Sequence, residues 1–486
     1  MRAMKLAIVG WVLGVVWVGL AGVLAIPLVI AALLGEPWTP FAVAAGAALG
    51  GGAALALPLR RAERNLGHRQ AFLIVTLVWC SVCAIGAIPY ATYPDPRLAP
   101  VDALFEAVAG FTTTGATVLS GLDSLPSSLL IWRSMTQWLG GMGMVIFGVA
   151  VLPLLGVGGM QLYKAEAPGP SKDKMTPRIT ETAKLLWMVY LGITVTAGGV
   201  FYLSGMSAFD ALNHAMTAVA TGGFSTHDQS LGYYDSGLIH FSVTVAMLIG
   251  GTSFAILHRA LTGRVEWSAQ PELRAYMGIF LLATLVIALD LSLQMPGRFA
   301  NLAGALEHAS FQVASILTTS GFVTDDFDRW PGLSHAVLLS LFFVGGMAGS
   351  TSGGLKVIRI VLLARAASMQ FRKLLHRHSV DLVRLGNRSV EPQVLTASLA
   401  LISIWLILLA AGTLALAAGG SDLVSSLMGA AASLGNVGPG FGAIGPSHTF
   451  ATLDTGSKVV MQVLMILGRL EVYTVLVILT PGFWRF

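Results

Sequence analysis

Four short segments of glycine and small polar residues recur along this 486-residue chain at nearly regular intervals. An uncompensated monovalent cation loses solvation energy on the order of tens of kcal/mol in a low-dielectric interior, so its path must supply oxygen atoms. Glycine allows backbone angles that turn carbonyl groups toward one point, and threonine or serine adds hydroxyl oxygens. We therefore predict a cation-binding ring of backbone carbonyl groups. The predicted ring residues are Thr112, Thr113, Thr114 and Gly115; Ala220, Thr221, Gly222 and Gly223; Thr318, Thr319, Ser320 and Gly321; and Gly435, Asn436, Val437 and Gly438.

The surroundings of these four segments are repeated as well. A short apolar segment, too brief to cross a bilayer, leads into each one, and longer apolar runs lie before and after. Asp102 and Asp210 stand at the same distance before Gly115 and Gly223, and each is followed by Ala-Leu. A lone glycine in a membrane helix usually serves close helix packing, but four matched copies indicate an internal repeat. The phenylalanines that we expect to brace three of the loops from behind are Phe224, Phe322 and Phe441.

The composition is that of a polytopic membrane protein. Hydrophobic residues make up 55% of the chain, charged residues 11%, and the mean hydropathy is +0.76. The net charge of +5 does not indicate a nucleic-acid partner, because the basic residues lie between apolar runs. The first run is too long for a cleaved signal peptide and is predicted to be retained. The predicted spans are 6–34, 41–59, 72–92, 128–155, 182–204, 236–258, 274–295, 334–362, 393–418 and 457–480.

The placement of charge predicts the topology. Most of the 29 Lys and Arg residues fall in loops on one face, which the positive-inside rule assigns to the cytoplasm together with both termini. Every repeat then has the same orientation, so four parallel copies must surround an axis along the membrane normal. We predict an all-α polytopic membrane protein with four parallel helix–pore-loop–helix repeats around a central pore, preceded by two extra N-terminal transmembrane helices. The predicted units are residues 1–68 for this pair and 69–165, 166–264, 265–390 and 391–486 for the repeats.

A glycine-rich stretch interrupts the third returning helix, and residues 345–356 are predicted to form a flexible intramembrane gating loop. Glycine and hydroxyl residues are poor helix formers in lipid, and irregular backbone is tolerated there only where it lines a cavity. The alternative is a close helix contact. Gly140–Gly141 and Gly250–Gly251 stand at corresponding places, where we expect helices to bend or break. The candidate gate residues are Gly345, Gly346, Gly349, Ser350, Thr351, Ser352, Gly353, Gly354 and Lys356.

Arg469 occupies the corresponding place in the fourth repeat, in the middle of an apolar run. A charged residue at such a depth is a candidate functional residue. We expect it to face the pore and to raise the barrier for a passing cation. The alternative is an arginine neutralised by Glu471 or by helix carbonyl groups as part of the packing.

The segments Thr112-Thr113-Thr114-Gly115, Ala220-Thr221-Gly222-Gly223-Phe224, Thr319-Ser320-Gly321-Phe322 and Gly435-Asn436-Val437-Gly438-Pro439 resemble those of one known family. The chain is similar to the membrane subunit of the Trk/Ktr/HKT superfamily of potassium transporters, and most similar to the bacterial TrkH/TrkG branch. The two extra N-terminal spans fit that branch, and the resemblance covers essentially the whole chain.

This resemblance implies K⁺ uptake across the bacterial cytoplasmic membrane, with K⁺ held by the carbonyl groups of the four segments and no cofactor on this chain. Glycine at Gly115 favours K⁺ over Na⁺. The resemblance also implies a pore-facing Arg469, a gating loop, a homodimer and a separate cytosolic TrkA-like ring of nucleotide-binding subunits. The basic segment 356–388 is expected to couple that ring to the gate, or to contact anionic membrane lipid.

Two other classes of function compete with this interpretation. An alternating-access secondary carrier for another small solute or for Na⁺ would also use broken helices at mid-membrane, although parallel repeats with re-entrant loops argue against it. A membrane enzyme is disfavoured, because the sequence offers no metal cluster and no nucleophile–base pair. A gated channel and a symporter coupled to H⁺ or Na⁺ need the same filter, so both remain open.

Overall fold

The part of the chain that the structure describes is predominantly α-helical, as predicted. The residues described in the computed structural model are 6–62, 67–150, 175–263, 270–299, 301–376, 383–386 and 388–485, with side chains except at 147–150, 175–180 and 388. The helices are α1 Leu6–Leu34, α2 Thr39–Ala56, α3 His68–Thr92, α4 Pro100–Phe111, α5 Ser127–Ala150, α6 Met175–Leu203, α7 Ala208–Val219, α8 Gly237–Gly250, α9 Phe254–Leu261, α10 Pro271–Gln294, α11 Leu302–Leu317, α12 Gly332–Phe342, α13 Val357–Leu375, α14 Pro392–Ala418, α15 Leu423–Gly435, α16 Thr455–Arg469, α17 Tyr473–Leu479 and α18 Pro481–Trp484. Two short strands, β1 Arg384–Leu385 and β2 Arg388–Ser389, pair in antiparallel register.

Helix length and apolarity fit a polytopic membrane protein. Among the described residues, 6 helices are long and apolar enough to cross a membrane, and two bent helix pairs raise the number to 8. These helices coincide with most of the predicted spans. The end of the predicted span 128–155 lies beyond α5, outside the described residues. The predicted junctions at 165–166 and 264–265 also lie outside them, and the unit boundaries as a whole stay predictions.

The first two helices form a closely packed pair. A side chain at Gly14 or Gly52 would approach the backbone of the other helix to less than 3.0 Å, so the missing Cβ atoms permit the contact. The turn between them is tied to the first repeat, because both carboxylate oxygens of Glu36 accept hydrogen bonds of 2.8 Å from the amides of Ser127 and Ser128. A carboxylate at the start of α5 satisfies free amides and complements the helix dipole.

Four short helices, α4, α7, α11 and α15, lead into the predicted ring segments. They contain 12, 12, 16 and 13 residues. At 1.5 Å per residue these helices are about 18 to 24 Å long, which is less than the ~30 Å hydrocarbon core of a bilayer. Side chains cap three of them at the N-terminus: Ser207, Asn301 and Asp422 accept hydrogen bonds from amides of the first turn.

The loops that follow the four ring segments contact one another in a closed cycle, first to second, second to third, third to fourth and fourth to first. The four hydrogen bonds run from Leu122 N to Asp228 Oδ1 (3.1 Å), from Gly232 N to Val323 O (3.1 Å), from Gly442 N to Asp328 Oδ1 (3.3 Å) and from Phe450 N to Thr117 O (2.9 Å). Such a cycle requires the four segments to surround a common axis.

The predicted interruptions of the returning helices are present in two repeats and absent in one. Helices α8 and α9 are bent by 106° at Gly250–Gly251, and residues 343–356 are not helical. The predicted break at Gly140–Gly141 is wrong, because α5 continues as a helix through both glycines. A Cβ at Gly140 would lie less than 3.0 Å from the Phe111 carbonyl oxygen, so this glycine serves close packing. The fourth repeat adds a bend of 112° between α16 and α17.

Candidate functional site

The four ring segments share one backbone conformation. In each, the residue two positions before the glycine is left-handed, with φ of 52° at Thr113, 53° at Thr221, 57° at Thr319 and 55° at Asn436. The glycines follow with φ between 79° and 96°. A left-handed residue other than glycine costs roughly 1–2 kcal/mol, so the same strained turn in four places indicates a common structural requirement.

The glycine of each segment lies against a carbonyl oxygen of the next repeat. A Cβ at any of the four would come closer than 3.0 Å to that oxygen, so any larger residue would displace it. The pairs are Gly115 with Gly222 O, Gly223 with Ser320 O, Gly321 with Val437 O, and Gly438 with Thr114 O. The fourth pair returns to the first repeat. The structure therefore brings the four predicted segments together in one closed ring.

Most hydroxyl groups of the ring segments hold the loops in place. In the first repeat, Asn436 Nδ2 donates to Thr114 Oγ1 (3.0 Å), and the Thr114 and Thr112 hydroxyl groups are 2.7 Å apart. Thr112 in turn donates to Val108 O at 2.6 Å. The hydroxyl groups of the third repeat make the same chain without the asparagine: Ser320 and Thr318 are 2.8 Å apart and Thr318 donates to Ala314 O at 2.7 Å. These bonds fix the direction of the neighbouring carbonyl groups.

A buried ion pair that the sequence analysis did not predict supports the first two loops. Arg133 Nε and Glu106 Oε1 are 2.8 Å apart, and the two side chains are 1% and 0% exposed. Glu106 accepts a hydrogen bond from the Val118 amide, whereas Arg133 donates to Ser225 O and lies 4.2 Å above the Phe224 ring. A buried charge needs such partners. The charged residue Arg133 inside the apolar run 128–155 was the available signal.

The glycine-rich loop 343–356 lies against the inner ends of the ring segments, next to the short helices. The Thr351 hydroxyl lies 2.9 Å from the carbonyl oxygen of Val219, the last residue of α7. The Gly353 amide donates to Thr319 Oγ1 at 2.7 Å, and a Cβ at Gly353 would lie less than 3.0 Å from the Gly435 carbonyl oxygen. The loop therefore contacts the second, third and fourth repeats at once.

Other contacts hold the loop on its outer side. The Met347 amide donates to Gly251 O (2.9 Å), and the Phe254 amide donates to Gly349 O (3.0 Å). Both glycine partners belong to interruptions of helices, where backbone groups are free to bond across repeats. The loop ends at Lys356, whose φ of 74° is left-handed and whose ammonium group donates to Ser352 O.

Arg469 links the loop to the first repeat. Its guanidinium group donates to Thr351 O (2.7 Å) and to Gly140 O (3.1 Å), and the residue is 1% exposed. Glu471 pairs with Arg359. The charge of Arg469 is thus balanced by backbone carbonyl groups rather than by Glu471.

The helical spans and the closed ring of re-entrant loops define a polytopic membrane protein of the transport class. The family described as "TrkH: Cation transport protein" matches residues 47–282 and 280–482. The chain is 42% identical over 450 residues to the Trk system potassium uptake protein TrkH of Salmonella typhimurium, and this match covers 90% of each chain. It is 36% identical to the Trk system potassium uptake protein TrkI of Halomonas elongata, covering 98% of this chain and 96% of that one.

A solved structure agrees over the whole molecule. The crystal structure of the potassium transporter TrkH from Vibrio parahaemolyticus superposes with a TM-score of 0.92 at 37% identity, covering 99% of this chain and 100% of the other. The chain belongs to the TrkH family of cation transport proteins. This confirms the predicted family and all-helical membrane fold, and the family is one of transporters rather than enzymes.

Proposed function

We propose that this protein carries K⁺ into the cell through the ring formed by the four segments. The observation that carries the proposal is the closed ring itself, in which four identical turns place a carbonyl group of each repeat against a glycine of the repeat before it. The carbonyl oxygens of Thr112 to Thr114, Ala220 to Gly222, Thr318 to Ser320 and Gly435 to Val437 would replace the hydration shell of the ion.

The short helices support a preference for cations. All four end at the ring, so their C-terminal carbonyl groups bring a partial negative charge, roughly half an elementary charge per helix, toward the same place. Two relatives are named as potassium uptake proteins, which favours K⁺ as the ion.

The loop 343–356 and Arg469 act as the gate in this proposal, in a closed position. The loop bonds to the end of α7 through Thr351 and to the third ring segment through Gly353, and Arg469 donates to both Thr351 O and Gly140 O. Opening requires these bonds to break and the loop to withdraw. The glycines permit the necessary backbone change.

The family also supports a proposal for the partner and the location of the protein. The relatives are named as parts of a Trk system, which supports a cytosolic TrkA-like nucleotide-binding partner, and a homodimer of this chain completes the proposed assembly. Placement in the bacterial inner membrane with both termini in the cytoplasm agrees with the distribution of Lys and Arg. Helix α13, whose last turn carries Arg372 and Lys373, would connect the gate to the partner.

Flux through liposomes that contain the purified protein tests the proposal. We expect uptake of K⁺ and Rb⁺ to exceed uptake of Na⁺ under a membrane potential alone, with protein-free liposomes as the control. Uptake of K⁺ that requires a pH gradient would instead identify a symporter. Absence of any cation flux, even in the Arg469→Ala protein, would contradict the proposal and favour a carrier for another solute.

A further inference from the structure

The second ring segment lacks the hydroxyl groups that support the first and third. Thr112 and Thr114 bond to each other in the first repeat, and Thr318 and Ser320 do so in the third. The corresponding positions of the second repeat are Ala220 and Gly222. The second loop therefore needs another group to fix its carbonyl direction.

Gln137, from helix α5 of the first repeat, occupies the space behind this loop. Its Nε2 donates to Gly222 O at 2.6 Å, and its Oε1 accepts from the Phe224 amide at 3.0 Å. The two bonds engage the backbone groups on either side of Gly223, the Gly222 carbonyl and the Phe224 amide, as a neighbouring β-strand would. The side chain is 0% exposed, and both of its polar groups are engaged.

The missing side chain of Gly222 makes this arrangement possible. A Cβ at Gly222 would lie less than 3.0 Å from the amide group of Gln137, so the two positions share one volume. The φ angle of Gly222 is not in the left-handed region, so its backbone conformation does not itself require glycine.

Equivalent positions in two other repeats carry apolar residues. Gly140, Gly250 and Gly468 are equivalent, because a Cβ at each would crowd the carbonyl oxygen of the residue four positions before its ring glycine. One turn earlier stand Gln137, Met247 and Met465, and all three are 0% exposed. The amide is thus found beside the second loop, which has no hydroxyl groups at the positions of Thr112 and Thr114.

We propose that Gln137 is a specificity-determining positioning residue, which fixes the Gly222 carbonyl group at the spacing that the ring needs to prefer K⁺ over Na⁺. The inference rests on the proposed K⁺ function of the ring. Gln137 acts through the backbone of the second repeat and replaces the hydroxyl pair that this repeat lacks.

The test compares K⁺ and Na⁺ uptake in liposomes for wild type, Gln137→Leu and Gln137→Ala/Ala220→Thr/Gly222→Ser. Leucine keeps most of the volume but no hydrogen bond, and we expect the ratio of K⁺ to Na⁺ uptake to fall on the order of fivefold, the equivalent of one net hydrogen bond. In the triple variant, threonine at 220 and serine at 222 recreate the hydroxyl pair of Thr318 and Ser320, and we expect most of the ratio to return. Met247→Leu, at the equivalent position, is the matched control and keeps the wild-type ratio.

A second measurement separates positioning from folding. K⁺ and Na⁺ each raise the melting temperature of a protein that binds them, and we expect Gln137→Leu to reduce the shift by K⁺ more than the shift by Na⁺. A folded Gln137→Leu protein with the wild-type uptake ratio and ion shifts would overturn the inference. A wild-type protein that carries no K⁺ would contradict the proposed function itself, and the ion shifts of the variants would still test the positioning role.

Discussion

At the scale of single residues, the ring glycines show that one added atom, a Cβ, would disturb the geometry of the ring. Gly223 has a φ of 80°, and a Cβ there would come closer than 3.0 Å to Ser320 O. A side chain would therefore cost roughly 1–2 kcal/mol of backbone strain and would also displace a carbonyl group of the ring. The requirement for glycine comes from a neighbouring repeat.

We accordingly expect Gly223→Ala to abolish the preference for K⁺ over Na⁺ and to lower K⁺ uptake by at least about tenfold. Uptake of both ions in liposomes is the measurement. Gly199→Ala is the control, because a Cβ at this helical position meets no atom within 4 Å. Wild-type uptake by a folded Gly223→Ala protein would show that the ring does not select the ion.

Arg469 is the second residue whose role depends on its partners. In the proposed gate, its two bonds to carbonyl groups hold the loop closed, and hydrogen bonds from a charged group contribute about 1.5–3 kcal/mol each. Arg469→Ala should raise K⁺ flux at least about tenfold. Arg469→Lys keeps the charge but loses the guanidinium group that reaches two carbonyl groups, and its flux should be intermediate. Flux in Arg469→Ala no faster than in wild type would mean that the arginine serves packing alone.

At the scale of elements, the loops beyond the ring are joined by ionisable groups. His227 Nδ1 lies 2.5 Å from Asp123 Oδ1 of the first repeat, and its Nε2 lies 3.6 Å from Asp210 Oδ1. The other groups around the imidazole are His214, Tyr233 and Tyr234.

This geometry predicts a pH dependence. Burial lowers the pKa of His227, but the hydrogen bonds to Asp210 and Asp123 outweigh it, so the pKa is raised above 6.5. The hydrogen bond from His227 lowers the pKa of Asp123 below 3.8. The contribution of His227 to the stability of the folded state is full below pH 6.5 and is lost as the pH rises through the raised pKa. The aspartate contribution is present above pH 3.8 and is lost as the pH falls through the lowered pKa.

The ion pairs of His227 with Asp123 and Asp210 should therefore stabilise the outer loops at mildly acidic pH and less at alkaline pH. We expect His227→Gln to lower the melting temperature most near pH ~6 and progressively less toward pH ~9. Thermal unfolding across this range measures the difference, with the exposed His448→Gln as control. A difference that is constant with pH would refute the electrostatic origin.

At the scale of the whole molecule, the ring must close between the first and last repeats, which are farthest apart in sequence. Lys458 Nζ lies 2.7 Å from Asp102 Oδ1, and Gln462 Nε2 donates to Val101 O at 3.0 Å. The lysine side chain is 7% exposed and that of the aspartate 27%. These contacts join helix α16 to the start of α4.

Lys458→Ala should destabilise the protein by about 1–2 kcal/mol, because it removes a partly buried charged hydrogen bond and leaves Asp102 without this partner. Thermal unfolding in detergent would report the loss as a lower melting temperature. The exchange Asp102→Lys/Lys458→Asp should recover part of it, whereas either single reversal should be worse than alanine. Equal stability of all these variants would indicate that the ion pair contributes nothing to closure.

The sequence by itself determined the features that depend on local composition. Apolar runs fixed the helical membrane class, and the recurrence of glycine at Gly115, Gly223, Gly321 and Gly438 indicated the ring segments. The weak helix propensity of residues 345–356 predicted the irregular loop, which is present. These properties add up along the chain, because hydrophobicity and backbone preference act on neighbouring residues.

Only the tertiary structure decided which groups meet across repeats. It pairs each ring glycine with a particular carbonyl group, places Gln137 behind Gly222, gives Arg469 two backbone partners, and keeps α5 continuous at Gly140. Each of these outcomes depends on contacts between residues far apart in the chain. A glycine that ends a helix and a glycine that allows close helix packing look the same in the sequence. The residue that packs beside the glycine decides between the two outcomes.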